Sequence, residues 1–289
     1  MCVSMALALY LTQLKANGRS SHTVAQIQRH VLAFERWLAG RAATHQFVAG
    51  FLASDSVRLR ADGGPREASS SNAIRSSLRG YLRYLHQAGL AAEDAGRFVQ
   101  RARVRPPRPR ALPDRDAEKL LAALESATTP SERRDRALFV TLLRTGMRIG
   151  SAVALNVDDV DLVAAEVTIR QLKGGGTDVL PISPAVVAIL SEHVGGRTSG
   201  PLFLSAHGVR VGARHVTRRL AMWCERAGVA VVSPHALRHA HGQAIYERTH
   251  DLAVVAAALS HRSVASSQVY ARAGREAVRR AIGYVVAAR

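Results

Sequence analysis

The ten residues RARVRPPRPR, 101–110, constrain this chain more than any other stretch. Pro106, Pro107 and Pro109 have locked φ angles and no amide hydrogen, so regular structure stops there and the backbone stays extended. The chain is therefore expected to fold as two bodies on a tether: a first domain over 1–101, a linker over 102–112 and a second domain over 113–289. At 289 residues there is enough chain for each body to bury its own core. The tether also carries arginines. Arg105, Arg108 and Arg110 can lie along a phosphate backbone, a role compatible with being a flexible basic linker.

Charge extends that theme. Lys plus Arg number 40 against 22 Asp plus Glu, a formal charge of +18, which suits a polyanionic partner such as nucleic acid or an anionic membrane surface. Arg and Ala are enriched together, so a merely solvated basic surface fits the same count. Cys2 and Cys224 are too few for a disulfide framework or a cysteine zinc site, in keeping with a reducing compartment. The opening MCVSMALALYL lacks a basic leader and a clear cleavage site, and no later apolar run approaches about 20 residues. A soluble intracellular protein is expected.

Before the tether the pattern is helical. Leu7, Leu11 and Leu14 share a stripe that ends at Gly18; a second helix, capped by Ser21 or Thr23, lines up Val24, Ile27, Val31, Phe34 and Leu38. Two more, around QFVAGFLAS and SSSNAIRSSLRGYLRYLHQAG, complete a small bundle in which Tyr81, Tyr84 and Leu85 read as core rather than as a base-stacking platform. Behind the tether, helices are predicted at DRDAEKLLAALES and SERRDRALFVTLLRTG, the latter stopped by a left-handed Gly146. Two β-branched runs around the tip LKGGGT read as a hairpin from about Val167 to Ile182. Further helices follow at ARHVTRRLAMWCERAG, HALRHAHGQAIYERT, DLAVVAAALS and in the tail from Ala265.

The densest chemistry lies in SPHALRHAHGQ, residues 233–243. His235 and His239 stand four apart, as zinc ligands on a helix do. The residue after His235 is alanine rather than a glutamate base, and Arg238 beside the pair opposes a cation. His241, His215 or His261 would have to supply a third ligand, with no carboxylate or cysteine spaced to finish a site, so no metal is expected. Phosphate fits better. A helix starting near Pro234 offers free N–H groups and a positive dipole end, and the Arg238 fork can take two phosphate oxygens. Arg148 follows the stop at Gly146 and so sits on a turn. Lys173 starts the glycine tip, and His261 and Tyr270 fall in LSHRSVASSQVYAR. Taken singly, each also suits an ordinary salt bridge, a solvated lysine or a packed tyrosine.

In order, these residues resemble the tyrosine recombinase family, the phage-type integrases and Xer-like recombinases. The likeness covers the second domain from about Pro113; the first resembles the family's core-binding domain in length, helix count and linker position only. The resemblance implies a mainly α fold with a small β-sheet in the catalytic domain (α+β), built as a two-domain clamp on double-stranded DNA. It implies a site-specific recombinase, with Tyr270 as nucleophile, Arg148 and Arg238 clamping the scissile phosphate, Lys173 protonating the leaving 5′-oxygen, His235 moving a proton at the tyrosine and His261 bonding a phosphate oxygen. Cations of this kind stabilise the phosphorane without a cofactor. The implied assembly is a homotetramer on paired sites, a dimer per site, in the cytoplasm and associated with the nucleoid.

Three positions depart from the family's pattern. Ser151 stands where an acidic residue is usual, Ser260 replaces the glycine before His261, and Asp178 takes a hairpin position that is often basic. A nicking-closing enzyme of the type IB topoisomerase kind, or a DNA-binding regulator on a recombinase scaffold, are the alternatives. Two amphipathic helices supply further DNA candidates: Arg214 and Arg218, on a basic face shared with His215 and Arg219 and opposite Val216, Leu220 and Trp223, and Arg75, Arg79 and Arg83. His239 is expected to buttress its helix, and His241 has no assigned role. Val278, Ile282, Val285 and Val286 form an apolar stripe on the tail, suited to docking on a neighbouring protomer or back on its own domain.

Overall fold

The computed structural model describes residues 3–103, 112–170 and 176–259. Two compact units divide the chain, Met1–Pro106 and Pro107–Arg289. Arg105, Arg108, Arg110, Lys173, Ser260, His261, Tyr270 and the tail stripe lie outside the described residues.

The first unit is helical. It comprises α1 (Val3–Ala16), α2 (Ser21–Leu38), α3 (His45–Ala53), the single turn α4 (Asp55–Arg58), α5 (Ala68–Gln87) and a 3-10 turn at Ala95–Phe98. The apolar stripes of α2 and α5 close on one another, burying Val31, Phe34, Leu78, Tyr81 and Leu82. Phe51 of α3 meets Phe34 edge-on, with ring centroids 5.2 Å apart. Tyr81 and Tyr84 do pack on the Tyr10 ring, at 5.5 and 5.1 Å, and Tyr81 donates its hydroxyl to Glu35 at 2.5 Å. The cap of α2 differs from expectation: Ser20, one residue earlier than predicted, accepts from the Thr23 amide, because that register leaves Val24 facing inward.

The second unit is built around α7 (Pro130–Thr145), which is buried on most sides from Arg134 to Thr145 and is packed by α6 (Asp114–Glu125), α8 (Ile149–Ala154), α9 (Pro184–Val194), α10 (Ala213–Arg226) and α11 (Pro234–Thr249). Thr129 and Glu132 form a reciprocal capping box at its start, with Pro130 in the first turn. At its end Gly146 takes φ +62°, the left-handed cap read from the sequence. A short α12 (Leu252–Ala258), capped by Asp251, packs on α11 through Val255 and Leu259.

The hairpin is present as β2 (Glu166–Ile169) against β3 (Asp178–Pro181), with Val167 opposite Leu180 and both buried. A strand that pattern reading missed, β1 (Val160–Asp161), adds to the other edge of β2 and completes an antiparallel sheet in the order β1-β2-β3. Its two residues are too short to show alternation, and its turn depends on Asp161, whose carboxylate accepts from the Val163 and Ala164 amides. α8 and α9 were also unread. α8 is only six residues long, and α9, PAVVAILSEHV, is so apolar that its period is hidden.

Candidate active site

The site begins where α7 ends. The left-handed Gly146 turns the chain sharply, and two residues later Arg148 occupies the N-cap position of α8 with φ −69° and ψ 141°. Its side chain makes no cap bond and is half-buried. Ser151, one turn on, is buried within α8. Arg210 holds the far end of α8, donating to the Val153 and Leu155 carbonyls at 2.9 and 2.7 Å.

Opposite this turn stands α11. Its N-cap Ser233 makes no side-chain bond to the first turn and Pro234 opens the helix, so its N-terminal dipole end is uncapped by side chains. One turn in, Arg238 is only 4% exposed. It donates one bond to the Gly146 carbonyl at 2.6 Å and another to the Leu259 carbonyl, so the cap of α7 and the end of α12 together fix the plane of the guanidinium. Such a buried charge is tolerated only with satisfied donors.

His235 lies on the exposed side of the same turn. Partial desolvation lowers its pKa, and the charges of Arg238 and then Arg148 lower it further, so both arginines act on this one ring. His239 packs its ring edge-on to His235, with centroids 4.5 Å apart. Desolvation, His235 and Arg238 lower its pKa. Among the described residues no group of three His, Cys, Asp or Glu side chains converges as metal ligands. The structure thus brings together Arg148, His235 and Arg238, about 90 residues apart in sequence, at one place.

The arginines singled out for DNA fare differently. Arg214 and Arg218 are exposed on α10, Arg218 with His215 at 3.3 Å, while Val216, Leu220 and Trp223 are buried as predicted. Arg219, read as part of that basic face, turns inward instead and donates to Asp135 at 2.5 Å. On α5, Arg75 and Arg79 donate to the Gln100 and Val99 carbonyls, and Arg83 reaches Asp94 at 4.0 Å. Arg75 and Arg79 hold the segment after the 3-10 turn against α5, Arg83 faces the residue before that turn, and Asn72 ties Ala102 down with two bonds.

Sequence reading also missed the hub beneath α10. Asp135, 1% exposed, accepts from Arg134, Arg219 and Trp223, and Arg134 continues to the Leu204 carbonyl. Its signal was an aspartate at the spacing of Leu138 and Leu142 on the apolar face of α7.

The profile of the Phage integrase family matches residues 110–276, and that of the family's N-terminal SAM-like domain matches 7–89. The chain belongs to the phage integrase family. Integrase-family relatives of comparable length include tyrosine recombinase XerC of Chromobacterium violaceum, 31% identical and covering 92% of this chain and 89% of the relative. Tyrosine recombinase XerD of Mycobacterium tuberculosis is 33% identical, covering 93% of each. This integrase is accordingly a tyrosine-type DNA strand transferase that performs site-specific DNA recombination. The topoisomerase-like and regulator readings gain no support from these relatives.

Solved structures agree on the fold. A lambda integrase dimer bound to a COC′ core site superposes with TM-score 0.73 at 20% identity, covering 95% of this chain and 79% of that one. XerH site-specific recombinase bound to difH substrate, in a pre-cleavage complex, gives 0.70 at 19% identity, covering 93% and 82%. Both share the mainly helical fold with a small sheet. No helix among the described residues is long and apolar enough to cross a membrane.

Proposed function

We propose that this integrase cuts and rejoins duplex DNA at a phosphate held by Arg148 and Arg238, with Tyr270 as the nucleophile. The carrying observation is that Arg238 bonds the carbonyl of Gly146, the same turn from which Arg148 leaves, beside the start of α11 that carries His235. Two guanidiniums counter the negative charge that a phosphorane develops, Arg238 preorganised by the Gly146 and Leu259 carbonyls and Arg148 by the Gly146 turn. Desolvation and the charges of Arg238 and Arg148 favour the neutral His235 ring, the form that can accept the tyrosine proton.

In the reaction the Tyr270 Oη–P bond forms as the P–O5′ bond breaks. The tyrosine proton passes to His235, and Lys173 gives one to the leaving 5′-oxygen, while His261 bonds a phosphate oxygen. A 5′-hydroxyl of the partner strand then attacks the 3′-phosphotyrosyl phosphorus and restores the phenol. Bond energy is conserved, so strand exchange needs no ATP. Two such rounds require paired sites, with a dimer on each and four protomers in all, an assembly in line with the dimeric and tetrameric DNA complexes of lambda integrase. Arg214 and Arg218 would contact the duplex from α10, and the arginines of the tether from 105 to 110 would follow its backbone. It would act on DNA inside the cell.

The test is a covalent trap. Wild type and Tyr270→Phe are incubated with a library of nicked duplexes in EDTA, denatured, and the attached DNA is sequenced. An EDTA-resistant adduct with wild type alone is expected, and it reads out the site. Tight binding of one sequence by both proteins with no adduct would overturn the catalytic assignment.

A further inference from the structure

We infer that His241 is a positioning residue for strand transfer: from α11 it clamps the Gly146 turn at the end of α7, and through that turn sets both arginines of the phosphate site. The inference rests on the reading of Arg148 and Arg238 as the phosphate clamp.

His241 lies three residues after Arg238 on the same helix. Its ring donates to the carbonyl of Leu143, one of the last four α7 carbonyls, which have no amide of their own helix to accept from. The ring also fills the space beside Gly146. A Cβ on that glycine would lie 2.6 Å from His241 Cδ2 and 2.7 Å from Leu259 Cδ2, closer than real atoms approach. Arg238 grips the carbonyls of both Gly146 and Leu259, and Arg148 leaves the same turn two residues on. One imidazole therefore locks the register between the helix that carries Arg238 and the turn that delivers Arg148.

The chemistry of histidine suits this place. The charges facing the ring are Arg238 on its own helix and Arg144 on α7, and the neighbouring cavity of about 470 Å³ adds Asp114 and Glu118 of α6 with Glu247 and Arg248 of α11. A neutral donor satisfies the Leu143 carbonyl without adding a third cation beside Arg238. Phenylalanine would fill the volume but leave that carbonyl unbonded.

The test compares His241→Phe, His241→Asn and His241→Gln in the full chain, reading the rate of covalent adduct formation, duplex affinity and the thermal midpoint. Arg148→Ala and Arg238→Ala serve as controls. Expected is a roughly tenfold slower cleavage for the Phe variant at unchanged affinity, with whichever amide reaches Leu143 returning to within about threefold of wild type. Wild-type cleavage by the Phe variant, or both amide variants as slow as Phe, overturns the role. Should the Phe variant fail to fold, the two amide variants decide: wild-type cleavage by one supports the donor role, and slow cleavage by both at normal midpoints overturns it. If the arginine controls cleave normally the clamp reading itself falls; if they are inactive while the Phe variant is unaffected, only the positioning role does.

Discussion

Burial pushes the pKa of His241 down to about 4, with Arg238 and Arg144 adding to the shift and the Leu143 carbonyl opposing it. In the unfolded chain an imidazole titrates near pH 6.5. The unfolded state therefore takes up its proton first, so the stability contributed by the neutral ring is present above about pH 6.5 and is lost as pH falls towards 4. The loss from this ring alone is about 3 kcal/mol at the acid end. His235 and His239 shift in the same direction and add to the slope. Denaturant unfolding at a series of pH values should show stability falling through this window, less steeply in His241→Phe. Parallel curves for the two proteins between pH 4 and 6.5 would refute the assignment.

At the scale of elements, α7 decides how the second unit is organised. Its capping box, its proline and its left-handed glycine are local signals, and they place the helix where the sequence says it lies. What faces α7 is not local. Asp135 is held by cations and an indole from two helices, and removing one partner of such a buried network costs about 3–5 kcal/mol because the others are left uncompensated. Asp135→Ala should lower unfolding stability by that order in a denaturation titration, and Arg219→Met by less, since Arg219 keeps part of its surface in water. An Asp135→Ala protein as stable as wild type would mean the network contributes little. β1, α8 and α9 escaped pattern reading for a related reason: two residues, six residues and an almost wholly apolar run have no period to detect, and only their neighbours give them a face.

For the whole molecule, a charge of +18 makes binding to any duplex salt-dependent, so affinity alone says little about the site. The structure separates the arginines. Arg214 is exposed and should count as a phosphate contact, whereas Arg75 holds the Gln100 carbonyl. Arg214→Ala is expected to reduce the slope of log affinity against log salt by about one, and Arg75→Ala to leave it nearly unchanged while loosening the first unit. Equal loss of slope in both variants would make Arg75 a phosphate contact as well.

The residues themselves determined the division at the prolines, the bundle stripes, the hairpin, the glycine stop before Arg148 and the family likeness, because each depends on spacing within a few turns of chain. Tertiary structure alone decided which charges meet. Arg238 bonds a carbonyl 92 residues away and Arg219 a carboxylate 84 away. It also gave Arg75, Arg79 and Arg219 acceptors within the fold, and gave His241 a partner. The physical reason is that an arginine in a sequence carries only a charge and a reach, whereas its acceptor is set by the helix packed opposite.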